Sequence, residues 1–276
     1  MENNVITFKG FLKEGTEKAP LPKTKEDTEK ALWEFEDCIE GGVANCTIVD
    51  TAWGPAVNVI GSVNLRSLSL EYLPFRFNNV KGDFHCSMNK ELKSVEGAPK
   101  WVKGMLNFEH CWSLKNLDYL ALIGFQSEGV ASFSMCKDLE RVAEQGQMLY
   151  TGGYIFANCE KLTSLKGIGT VFGNLNICKT GIHSLHNFHK DVKFCKAELH
   201  NGGRTGDLII FNGSFHQIIE DSSLNLMMVQ NLKTITYNEK IAPWMKIIEE
   251  GIIQKKEVFE VQDELLDAGY EAQAKL

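Results

Sequence analysis

The sequence predicts a repeat solenoid: a parallel β-sheet of about nine coils with helical caps at both ends. Three observations predict it. A short apolar frame recurs in register along the middle of the chain, glycines recur just ahead of it, and amphipathic helical patterns fall only outside it. The corresponding divisions are an N-terminal arm over 1–23, an N-terminal cap with a helix over 24–60, the solenoid over 61–238 and a C-terminal helical cap over 239–276.

In the arm, Ile6, Phe8, Phe11 and Leu12 are apolar and a polar, Pro-containing stretch follows, the composition of a detachable segment. In the cap, Thr24 is placed to cap a helix that puts Leu32, Phe35 and Ile39 on one face. Cys46 and Ile48 start an irregular first strand.

The repeat is clearest in Leu106, Phe108, Cys111, Leu114 and Leu117, and its frame returns at Phe84, Cys86, Asn89, Leu92 and Val95. It returns again at Ala131, Phe133, Cys136, Leu139 and Val142, and at Tyr154, Phe156, Cys159, Leu162 and Leu165. A variant one residue shorter fits Val63, Leu65, Leu68, Leu70 and Leu73, then units starting at Leu175 and Leu208, and in half at Val192. The longer form closes the series from Leu224 to Ile235. The period is about 22 residues at first and tightens to about 16, which suggests a tight β-solenoid at that end. Gly61, Gly82, Gly104, Gly129, Gly153, Gly173 and Gly206 precede strands, where each coil turns back into the sheet. After the solenoid, residues 241–270 read as one or two helices with a break at Gly251.

These units resemble leucine-rich repeats, in the form where cysteine replaces the consensus asparagine. The segments FHCSMNKELKSVEGAP and CEKLTSLKG are similar to degenerate repeats of bacterial and tailed-phage proteins. The resemblance covers about two thirds of the chain and implies an architecture, not a ligand. Residues 6–15 are also similar to leader segments of tailed-phage internal head proteins, which are cut after Leu/Ile-x-Glu. Leu12-Lys13-Glu14 followed by Gly15 matches that pattern.

Composition narrows the function classes. The 276 residues are 43% hydrophobic and 24% charged, which excludes a disordered or collagen-like chain. With 29 Lys+Arg against 36 Asp+Glu the net charge is −7, unfavourable for a broad grip on nucleic acid. No run of 18 apolar residues exists to span a bilayer as a helix. The N-terminus has no secretory pattern, and eight cysteines without one point to reduced thiols and a cytoplasmic protein.

Catalytic and metal patterns are weak, and no cofactor is implied. Cys111, Cys136 and Cys159 share one repeat position, where a small core residue is expected rather than a ligand set. Cys178 and Cys195 are expected to point outward near Lys179, Lys193 and Lys196. His183, His186 and His189 fall on the turn side of a coil, and the loop around Gly202, Gly203 and Gly206 lacks the ending of a phosphate loop.

The sheet face is the better candidate. Its second and fourth strand positions present Asn64, Arg66, His85, Asn107, Glu109, Ser132, Asn176 and Lys193, the expected partner-binding residues. Ile209, Phe211 and Met227 form an apolar continuation that either the C-terminal helices or a partner covers. The expectation is a non-enzymatic protein-binding module, phage-encoded and directed at a host protein by steric occlusion, with a host or phage protein as the partner on the sheet face. The alternatives are a packaged or structural virion protein, and a β-solenoid that binds or acts on a small sugar or nucleotide.

Overall fold

The computed structural model describes residues 20–171, 175–177, 179–181, 193–194, 206–209, 232–236, 243–271 and 273–274. The expectations for residues 1–19, Cys178, Cys195, the three histidines, the glycine loop up to residue 205, Phe211 and Met227 lie outside them, as does the side chain of Ile209.

The chain winds into a parallel β-solenoid of about five turns. Each coil gives one strand to a first sheet, and Val63, Phe84, Leu106, Ala131, Tyr154 and Leu175 stack there in register. These first positions and the third ones (Leu65, Cys86, Phe108, Phe133, Phe156 and Ile177) are all buried. The frame read from the sequence is therefore the inward face of this sheet.

The coil then turns through one left-handed residue: Ser67, Met88, His110, Met135, Asn158 and Lys179 all have φ between 50° and 63°. The turn leaves the third-position carbonyl of each coil facing inward. The sixth-position side chain of the next coil donates to it: Asn89 Nδ2 to Leu65 O at 2.8 Å, Cys111 Sγ to Cys86 O at 3.4 Å, Cys136 Sγ to Phe108 O at 3.2 Å and Cys159 Sγ to Phe133 O at 3.0 Å. Leu68 is 43% exposed. It stands at the sixth position of the first coil, between left-handed Ser67 and Ser69.

One sheet was expected, and there are two. The return side of each coil forms a second sheet, in which Val59, Val80, Val102, Ser127, Thr151 and Val171 make one buried column. The two polar members are satisfied locally: Ser127 Oγ shares its one proton between Gly104 O and Gly129 O, and Thr151 Oγ1 donates to Gly153 O. This sheet begins with β1 (Cys46–Thr51) and β2 (Gly54–Val59), an antiparallel hairpin whose second strand pairs in parallel with Arg76–Val80. The solenoid thus starts inside the segment expected to be a cap.

Two later units shift as well. Lys193–Phe194 pairs with Thr170–Val171 in the second sheet, and Leu208 is the residue that stacks on Leu175. The Val192 unit is therefore no separate coil, and the period does not tighten to 16 there. Further on, Ile235 rather than Leu224 stacks on Leu208.

Between the sheets runs an aromatic stack. Phe84, Phe108, Phe133 and Phe156 follow one another with ring centroids 5.6 to 6.0 Å apart, and Phe108 and Phe133 lie nearly parallel. Such pairs contribute about 0.5–1.5 kcal/mol each beyond area burial. Outside the second sheet, helix α1 (Lys25–Glu34) begins at its expected cap Thr24, and Leu32 is buried. The short helix α2 (Asp118–Leu122) lays Tyr119 near a largely buried ion pair, Arg76–Glu96 at 3.3 Å. Burial pushes the Tyr119 hydroxyl up to about 12, while the nearby Arg76 pulls it the other way. Arg76 also donates to Pro22 O at 3.1 Å, holding the segment before α1 to the sheet.

Helices α3 (Pro243–Gln254) and α4 (Val258–Asp267) follow the last strand. Their break lies at residues 255–257, not at Gly251. Gly251 is inside α3 because a Cβ there would come within 2.4 Å of Val261, so its hydrogen lets the two helices touch.

Close coil stacking also explains the glycines before the strands. A Cβ on Gly129 would lie 2.3 Å from Gly104 O, and one on Gly152, the neighbour of Gly153, 2.4 Å from Glu128 O. Gly129→Ala is expected to lower stability by about 1–3 kcal/mol in denaturant unfolding. Wild-type stability would mean that this backbone contact is not tight. Glu96→Ala, which strands Arg76 with side-chain exposure of 11%, is expected to cost about 3–5 kcal/mol in the same measurement.

Candidate functional site

The side chains at the second and fourth strand positions point away from the core, and ladder pairing aligns them across coils. Asn64, His85, Asn107, Ser132, Ile155 and Asn176 form one such column in consecutive register. In the first three coils the fourth position runs Arg66, Ser87, Glu109. Ser87 is small and only 6% exposed, so the larger residues on either side become the walls of a cleft with Ser87 in its floor.

That cleft has a volume of about 320 Å³ and is lined by Asn64, Arg66, His85, Ser87, Met88, Asn107, Glu109 and His110. Five of the eight expected partner-binding residues meet there. Ser132 does not line it: it is fully buried and its Oγ donates to Glu109 Oε1 at 2.7 Å, fixing that wall from behind. Asn176 lies three coils further along the same column. Lys193 belongs to the opposite sheet. Its apparent place in the column came from reading the 192 unit as a first-sheet strand.

Sequence reasoning missed Met88 and His110. Both are left-handed corner residues, a conformation that for a side chain of this size leaves no composition signal. Only the coil-to-coil register shows that the corner column flanks the face.

Local hydrogen bonds preorganise the cleft. Asn64 Oδ1 accepts from Arg66 N at 3.2 Å and Asn107 Oδ1 from Glu109 N at 2.9 Å, so each asparagine braces the wall residue two positions on. His85 Nε2 sits 3.7 Å from Asp83 Oδ2, an ion pair only when the imidazole is protonated. Asp83 is itself held, accepting from Met105 N at 2.7 Å and donating its amide to Ser62 Oγ at 3.2 Å.

The charges are divided. Arg66 Nη2 donates to the Met88 thioether at 3.3 Å, and no carboxylate of the described residues lies within ion-pair distance of it. The other two described arginines are paired, Arg76 with Glu96 and Arg141 with Asp118. A cation thus forms one wall and an anion the other.

No second centre competes among the described residues. Cys86, Cys111, Cys136 and Cys159 are buried, and burial pushes Cys111 and Cys159 up to about 12 and Cys86 and Cys136 well above the ordinary thiol value. No group of three or more metal-binding side chains occurs among the described residues. None of their helices is long and apolar enough to cross a membrane. No family model, curated protein or solved structure matches the chain.

The raised thiol values carry a prediction. Near pH 8 the four buried cysteines stay protonated and enclosed, so iodoacetamide leaves them unmodified in the native protein and labels them after denaturation. Native labelling at Cys111 or Cys136, mapped by peptide mass spectrometry, would contradict a closed core.

Proposed function

We propose that this protein is a non-enzymatic protein-binding module that docks a partner on the first sheet, around the Arg66–His85–Glu109 cleft. The observation that carries the reading is the convergence of polar, braced side chains from three coils on one concave patch. A surface already held by its own backbone bonds loses little conformational freedom on docking. Arginine and histidine beside a small floor residue supply the central anchors on which binding energy concentrates.

The scaffold in this reading is a degenerate leucine-rich-repeat solenoid, with the terminal helices as caps over its open ends. Support comes from the sixth-position ladder, where Asn89 and the cysteines after it perform one hydrogen-bonding task. The buried Leu32 of α1, and Trp244 and Ile248 of α3, give apolar faces suited to such covers. With the resemblance of the repeats to tailed-phage proteins, the partner class is a host cytoplasmic protein, obstructed sterically rather than modified.

The test pairs capture with stability. The tagged protein is expected to retain a stoichiometric, salt-resistant protein from host lysate, and the double variant H85A/E109A to lose it while still unfolding in one cooperative transition, its Tm lowered only by the Ser132 hydroxyl left without its acceptor. Equal recovery by the double variant would reject this face as the docking site.

A further inference from the structure

We infer that the same cleft is a specific site for a small zwitterion, its carboxylate on Arg66 and its ammonium on Glu109. This goes beyond the protein-binding reading and does not depend on it. The starting point is the uncommitted guanidinium of Arg66, a solvent-exposed side chain at the cleft wall. A guanidinium carries five N–H donors in a planar fork suited to a carboxylate, yet its described contact is a single thioether sulfur. Of the three described arginines it alone lacks a carboxylate, and it is the one that lines a cleft.

The opposite wall sets the second charge. Glu109 Oε1 is engaged by Ser132 Oγ at 2.7 Å, which leaves Oε2 for the cleft. Glu109, with Asp83 behind His85, makes the site hostile to a dianion such as a phosphate monoester. Arg66 makes it equally hostile to a simple cation. A ligand that satisfies both walls must carry both signs.

Its size follows from the strand spacing. Arg66 and Glu109 stand at the same position two coils apart, so their backbones are separated by roughly 10 Å. Arg66 leans in toward Met88 while Glu109 leans out toward Ser132, so the charged ends keep a similar separation. With a charge-assisted hydrogen bond of about 2.8 Å at each end, roughly 4 Å remain between the two charges of the ligand. That is the scale of an α-amino acid. The cleft volume of about 320 Å³ admits such a molecule with a short polar side chain, and the amides of Asn64 and Asn107 line the remaining wall.

Isothermal titration of the full chain with glycine, L-serine and L-glutamine tests this. At least one is expected to bind with Kd between about 1 μM and 1 mM. Glutaramate and 4-aminobutanamide, each keeping one of glutamine's charges, are expected to bind at least about tenfold more weakly than glutamine, as is glutamine to R66M or E109Q. The variant S87F, which fills the floor, is expected to abolish binding. Arg66 is exposed, Gln at 109 keeps an acceptor for Ser132 Oγ, and a cooperative unfolding transition establishes that each variant is folded. Absence of binding by all three zwitterions, or equal binding of the single-charge analogues, overturns the inference. Partner capture that survives in the wild type and fails in H85A/E109A shows that only the zwitterion site has fallen. Zwitterion binding with capture unaffected by the double variant overturns the docking reading alone.

Discussion

The hydrogen bond from the sixth position of one coil to the third-position carbonyl of the coil before it is the contact on which this architecture rests. The left-handed corner residue turns the chain sharply, and that turn leaves a carbonyl facing the core with no strand partner. A buried carbonyl without a donor costs on the order of 1–3 kcal/mol, and at Leu65 O the Asn89 amide removes that cost. Cys86 O, Phe108 O and Phe133 O also accept within their own coil, from Asn89 Nδ2, Cys111 N and Cys136 N, and the thiols of Cys111, Cys136 and Cys159 add the donor that ties each to the next coil. Leu68 supplies the control within the molecule. The first coil has no predecessor whose carbonyl needs a donor, and its sixth residue is an exposed leucine. Cysteine serves because the thiol is small enough to stack coil on coil and still donates, if weakly. Once the corners are held, the phenylalanines must stack and the outer columns must align.

The first sheet was legible in the sequence from Val63 to Leu175 because its inward residues are large, apolar and regularly spaced. The second sheet was not. Its inward column passes through Ser127 and Thr151, whose hydroxyls are satisfied by nearby backbone carbonyls, so no apolar rhythm marks it. The same blindness misplaced the 192 unit, since a Val-x-Phe pair reads alike on either sheet and only pairing with Thr170–Val171 decides between them.

The cleft was half legible. Alternation alone placed Asn64, Arg66, His85, Asn107 and Glu109 on the outer face, and they meet there. What alternation cannot show is concavity. That arises because Ser87 is small between two long neighbours, and because the corner residues Met88 and His110 rise at one side. Nor can it show support: Ser132 belongs to the same outward column as His85 and is nonetheless buried, its hydroxyl spent on Glu109.

Position along the solenoid also distinguishes this patch from the rest of the face. Glu40 Oε2 accepts from Ser62 N, Ser62 Oγ from Asp83 N and Asp83 Oδ1 from Met105 N, so side chains bridge successive coils along the edge nearest His85. Further along the same edge the corresponding residues are Val130 and Gly153, which have no side-chain acceptor to offer. The added bonds therefore stiffen the three coils that build the cleft, next to a histidine whose neighbour Asp83 is itself one of the bridges. The strand ladder already sets the spacing between these coils. The edge bonds add rigidity to that spacing, and a rigid spacing between opposite charges matters when a ligand has to fit between them.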